Sequence, residues 1–125
     1  MKKSLLFLGL LLPLLSMSQT KLSRAEKQIV KTIRKNSADQ INFLEKVVNI
    51  NSGSLNLDGV REVGSVFDDA FKEINFDTKW IEMPSEMNRA GHFFAERKGT
   101  KGKRILLIGH LDTVFEENSP FQKFE

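Results

Sequence analysis

Apolar residues recur at helical spacing through the first half of the chain and at strand spacing through the second. Ser23-Arg24-Ala25-Glu26 has the form of a capping box, in which the Ser hydroxyl accepts from the backbone at Glu26 and the Glu side chain reaches back. Ile29, Val30 and Ile33 follow at helical intervals. Ser37-Ala38-Asp39-Gln40 repeats the capping signal in weaker form, and Ile41, Leu44, Val47 and Val48 continue the stripe. This pattern predicts one long helix or two joined ones, ending near Asn49–Ser52 and stopped by Gly53. Asn56 or Asp58 is placed to cap the next helix. Val60, Val63, Phe67, Ala70, Phe71 and Ile74 fall at i, i+3, i+7, i+10, i+11 and i+14, a single amphipathic face.

The period then changes. Phe76 to Met83 alternates loosely, contains the single Trp (Trp80), and is ended by Pro84. His92 to Arg97 reads as a second strand. Gly99-Thr100-Lys101-Gly102 supplies a turn, and Arg104 to Ile108 reads as a short, dense apolar strand. The last two strands are expected to form a hairpin. Ile105-Leu106-Leu107-Ile108 suits a strand covered on both faces, as in a layered α/β sheet. The order helix, helix, strand, strand, strand predicts an α/β sandwich. Three strands and two helices leave an open edge and an uncovered sheet face. A buried-type strand close to the carboxyl end, followed by a polar loop, predicts an incomplete domain.

Composition narrows the chemistry. A length of 125 residues suits one domain or part of one, and 40% hydrophobic with 28% charged residues suits a globular chain. There is no Cys, which excludes disulfides, Cys-ligated zinc, iron–sulfur clusters and Cys nucleophiles. The two histidines are His92 and His110, so a metal site must lean on carboxylates or on residues from elsewhere. Met1-Lys2-Lys3, the apolar run Leu5–Leu15 and Ser16-Met17-Ser18 make the three parts of a secretory signal peptide. The run is shorter than the roughly 20 residues a bilayer span needs. Cleavage is expected after Ser18, leaving residues 19–125 as an exported protein, periplasmic or extracellular, without stable membrane insertion. The alternative for this segment is an uncleaved amino-terminal anchor. Without Lys2 and Lys3 the 19 basic residues become 17, against 16 acidic ones. A net charge of +1 removes the electrostatic case for nucleic-acid binding.

The chemistry concentrates in Arg104-Ile-Leu-Leu-Ile-Gly-His110-Leu-Asp112-Thr-Val-Phe115. A predicted buried strand runs into Gly109, and ligands of α/β proteins gather at the carboxyl ends of strands. In extended backbone His110 and Asp112 project from the same side, with Leu111 turned the other way into apolar packing. A His can bind metal through one ring nitrogen while a carboxylate takes the proton of the other. On spacing alone such a pair is more often an ordinary polar turn, and the functional reading gains because the pair directly follows the predicted buried strand.

Ile108-Gly109-His110-Leu111-Asp112-Thr113-Val114 resembles the first metal-site motif of the M20 family of zinc metallopeptidases. Leu44 to Ser54 resembles that family's first-helix end and the Ser-rich turn after it. The capped helix from about Asn56 to Ile74 and the stretch Asn88-Arg89-Ala90-Gly91-His92 agree. The resemblance covers roughly residues 37–125, the amino-terminal part of a catalytic domain. The glutamate carboxypeptidase branch looks nearest, through Thr113-Val114-Phe115 and the acidic loop beyond. It implies a zinc-peptidase-like α/β sandwich and two zinc ions, with cobalt or manganese as substitutes. It implies His110 as a zinc ligand and Asp112 as the active-site carboxylate that orients it. The substrate implied is a peptide or N-acyl amino acid. The family's bridging Asp, general-base Glu, further ligands and inserted dimerisation domain have no counterpart in these 125 residues. The longer form is thus the expected enzyme and homodimer, and this chain is expected to be inactive alone. The rival reading is a short, exported, non-catalytic binding module descended from the same domain.

Other polar groups have plainer readings. His92 reads as an edge histidine, Glu116-Glu117 as solvated loop charge, and Asp68-Asp69 as the polar side of a helix. Arg97-Lys98 and Lys101 to Arg104 read as charged strand flanks, and Trp80 as core or edge packing. Ser52-Gly53-Ser54 has no base or third partner beside it in the sequence, so it is not read as a nucleophile.

Overall fold

The computed structural model describes residues 21–125. The signal segment expected over residues 1–18 lies outside the described residues. No helix among the described residues is long and apolar enough to cross a membrane. The chain divides into two compact units, with the boundary between Ser37 and Ala38.

In the first unit, α1 (Arg24–Lys35) starts on the expected capping box. Ser23 Oγ accepts from Glu26 N at 3.2 Å, and Glu26 Oε2 accepts from Ser23 N at 2.7 Å. Two of the helix's orphan amide protons are thereby satisfied. The helix stops at Asn36, so the stripe forms two helices. Ser37 does not cap the second of them; its hydroxyl donates back to Arg34 O at 3.0 Å.

α2 (Ser37–Val48) ends where the stripe predicted. α3 (Leu57–Glu73) is capped by Asn56, whose Oδ1 accepts from Gly59 N at 3.1 Å. Its far end closes with paired backbone bonds, Phe76 N to Phe71 O and Asn75 N to Lys72 O, both 3.0 Å. Asn75 sits at φ 62°, the left-handed conformation this closure requires and Asn tolerates. The ring of Phe76 lies edge-on to that of Phe71, 5.1 Å between centroids, which is the apolar contact that accompanies such a cap.

β1 (Asp77–Ile81) and β2 (His92–Glu96) form a two-stranded antiparallel sheet, with Trp80 opposite Phe93 and Thr78 opposite Ala95. A short 3-10 turn, Ser85–Met87, lies between them. Alternation places Thr78, Trp80, Phe93 and Ala95 on the half-buried face. That face packs on α3, where Val60, Val63 and Gly64 are buried and Phe71 meets Phe93 at 5.9 Å. Phe43 of α2 joins through an edge contact with Phe67 at 5.3 Å. Among the described residues the fold is thus a small mixed α/β arrangement of three helices and one hairpin.

The third expected strand does not form. Arg104–Ile108 is irregular, and Ile105, Leu106, Leu107 and Ile108 are 80–88% exposed. The expected hairpin between the last two strands is replaced by β1 with β2. The reason is cover. A four-residue apolar run in a strand points two side chains to each side and needs a layer on both. Among the described residues the sheet has two strands, and the face bearing Trp80 and Phe93 is taken by α3. The opposite face carries Lys79, whose Nζ sits 5.5 Å over the Phe94 ring, and its apolar residues Ile81 and Phe94 are themselves exposed, with no layer among the described residues to cover them.

Candidate functional site

The His110–Asp112 segment is held against the turn between α2 and α3. A parallel bridge pairs Gly53 with Thr113. Thr113 N donates to Ser52 O at 2.8 Å, and Ser54 N donates to Thr113 O at 3.1 Å. These two bonds bring Ser54 and Asp112, 58 positions apart in sequence, side by side. Leu111 turns toward the core as its spacing predicted, lying against the surface of α3 at Gly64.

Further along, polar side chains hold the segment. Asn51 Nδ2 donates to Phe115 O at 3.1 Å and to Gln122 Oε1 at 2.9 Å. Phe124 N donates to Asn49 Oδ1 at 2.9 Å, and Leu55 N donates to Glu116 Oε1 at 3.3 Å. Asn51 is itself fixed by the Asn56 amide, which donates to its backbone and side-chain oxygens at 3.0 Å. The Phe115 and Phe121 rings lie 4.5 Å apart over this loop.

Within the segment, the His110 ring nitrogen Nδ1 lies 2.6 Å from the Asp112 carbonyl oxygen and 3.2 Å from its carboxylate Oδ1. Asp112 Oδ2 accepts from the Ser54 hydroxyl at 2.5 Å. That bond is the largest influence on Asp112 and holds its carboxyl below the ordinary carboxylate range. Partial burial opposes it, and the residue's own backbone N–H and His110 assist. Both oxygens facing Nδ1 are therefore acceptors without a proton. In the neutral ring Nδ1 must carry the hydrogen, leaving the lone pair on Nε2. The His110 side chain is 81% exposed and that of Asp112 38%. The imidazole thus presents a free nitrogen to solvent while its other nitrogen is tied down.

The pair predicted from the motif is therefore brought together, although the buried strand expected to deliver it is absent. Ser54 is the residue that sequence reasoning missed: a partner does stand beside it, namely Asp112. Nothing local in Ser52-Gly53-Ser54 signals a contact 58 residues away. The order Ser–carboxylate–His is not that of an activated serine, and a carboxylate held ionised is a poor base for an alcohol. His92 opens β2 opposite Ile81 and is exposed. Glu116 is bonded to the Leu55 backbone, whereas Glu117 is exposed. Asp68 is more than helix polarity. It binds Lys72 at 2.7 Å and accepts from the Thr78 hydroxyl, tying α3 to β1. Arg97 donates to Ile74 O at 3.2 Å.

An imidazole with one nitrogen anchored and the other free fits one position of a zinc centre. It does not make a centre. A catalytic zinc takes three protein ligands, and no group of three or more His, Cys, Asp or Glu among the described residues is placed to share an ion.

No family model matches the chain. The chain is 31% identical over 75 residues to carboxypeptidase G2 of Pseudomonas sp. (strain RS-16), a match covering 60% of this chain. It spans 18% of that enzyme's length. The likeness is to a carboxypeptidase, and it is distant. No solved structure matches.

Proposed function

We propose that residues 19–125 belong to an exported zinc-dependent hydrolase of the M20 kind, acting on amide bonds of peptides or N-acyl amino acids. One observation carries this reading: the His110 imidazole turns Nδ1 to two oxygens of Asp112 and leaves Nε2 free. The distant likeness to a carboxypeptidase supports the hydrolytic class. In this reading the segment is the amino-terminal part of a zinc-peptidase-like α/β sandwich. His110 would hold a zinc ion through Nε2. Asp112 would keep the proton on Nδ1 and fix the ring plane. The metal, when bound, polarises the scissile carbonyl and acidifies a water. The remaining ligands and the general base would come from residues other than those described here.

The test uses the longer polypeptide that carries this sequence, purified with zinc and assayed on N-acyl glutamate and on peptides with a free carboxyl terminus. His110→Ala should abolish hydrolysis. Asp112→Ala should lower metal affinity or activity by about 10–100-fold, the usual effect of removing a ligand's orienting partner. Full activity in the His110→Ala enzyme would overturn the metal assignment.

A further inference from the structure

We infer that Ser54 is a positioning residue for His110, acting through the Asp112 carboxylate. The inference deepens the metal-ligand reading of His110 and rests on it for its functional meaning, but its geometry stands alone. A carboxylate beside a flexible histidine can rotate. Here one oxygen, Oδ2, is taken by the Ser54 hydroxyl at 2.5 Å, and the other, Oδ1, is thereby turned toward Nδ1 at 3.2 Å. Ser54 is itself fixed. Its N–H donates to Thr113 O at 3.1 Å, and its hydroxyl oxygen lies 3.3 Å from the same carbonyl. The turn after α2 thus reaches across 58 residues to set the direction of one carboxylate. With the carboxylate held, the imidazole keeps its proton on Nδ1 and presents Nε2 to solvent. Without it, Nδ1 retains the Asp112 carbonyl alone, and the ring of an 81%-exposed side chain is free to turn away. A hydroxyl supplies this and a methyl cannot, because the carboxylate needs a proton donor.

The experiment is nitrogen NMR of the imidazole in the 125-residue chain, at a pH where the ring is neutral, with no metal present. The wild-type chain should give His110 almost wholly as the Nδ1–H form. In Ser54→Ala the share of that form should fall measurably, because only the Asp112 carbonyl at 2.6 Å still fixes the proton, and Ser54→Thr should restore it. His92, which stands in β2 away from this network, is the internal control, and the Trp80 indole proton reports that the hairpin is intact. Unchanged His110 signals in Ser54→Ala would overturn the inference, as would failure of Ser54→Thr to restore them. A readout that needs no variant is the Ser54 hydroxyl proton itself, expected downfield and slow to exchange. Exchange as fast as that of a free serine would equally overturn it. Because no metal is used, these results are separate from the His110→Ala activity test, whose failure would remove the zinc reading and leave the positioning contact standing.

Discussion

Gly64 measures how tightly the hairpin is seated on α3. A Cβ at this buried position would lie 2.5 Å from Trp80 Cζ3, 3.3 Å from Cη2 and 3.4 Å from Leu111 Cδ1. Two effects oppose each other in Gly64→Ala. Helix propensity favours Ala by about 0.8–1 kcal/mol. Overpacking a fitted contact costs about 1–3 kcal/mol. The outcome turns on whether Trp80 can retreat, because ordinary carbon contacts need roughly 1 Å more than this geometry leaves. The ring has little room. Its Nε1–H is bonded to Ala90 O at 3.0 Å. Behind it stands Gly91, where a Cβ would be 2.6 Å from Nε1 and where φ is +114°. The overpacking cost should therefore lie in the upper part of its range, for a net loss of about 1–2 kcal/mol. For a chain of this size each kcal/mol lowers Tm by about 4 °C. Urea unfolding followed by fluorescence of Trp80, the single Trp, reads this directly, with an unchanged m value marking a change in stability alone. Ser65→Ala, at the neighbouring exposed position, carries the helix-propensity gain without the clash and should not destabilise. A Gly64→Ala chain as stable as wild type would refute the seating of Trp80 on α3.

The exposed apolar run gives a contrasting expectation. Leu107→Ala should shift stability by no more than about 0.5 kcal/mol, as at other surface positions. A loss of about 2–5 kcal/mol in the same urea experiment would instead indicate a buried strand. Asp68 makes stability depend on acid. Its carboxyl is held below the ordinary range, first by the Lys72 hydrogen bond and then by the Thr78 hydroxyl. The unfolded chain therefore takes up the proton at a higher pH than the folded one. The stabilisation is present above the unfolded value near 3.8 and is lost as pH falls through the lower folded value. Asp68→Asn should flatten this acid limb in pH-dependent melting, and an unaltered limb would refute the contact's role.

Much of the local structure was legible in the chain. Ser23 and Glu26, and Asn56 before the Val60–Ile74 stripe, mark helix starts because a cap and its partner lie within one turn of each other. The alternation around Trp80 and from His92 locates both strands, although each is shorter than its pattern. The sequence also places His110 and Asp112 on one side of the backbone, since that follows from their spacing of two. Two features were not legible. Ile105–Ile108 has the residues of a covered strand, yet cover is a property of other segments, and among the described residues none supplies it. Ser54 lies 58 residues from Asp112, and the two meet only because Thr113 donates its N–H to Ser52 O and accepts at its carbonyl from Ser54 N. By itself, then, the sequence determined the helix starts, the positions of the two strands and the spacing that puts His110 and Asp112 on one side of the backbone, all governed by contacts within a few residues. Tertiary structure alone decided which strands pair, which apolar run stays in water, and which hydroxyl holds the Asp112 carboxylate, because each depends on segments meeting across long stretches of chain.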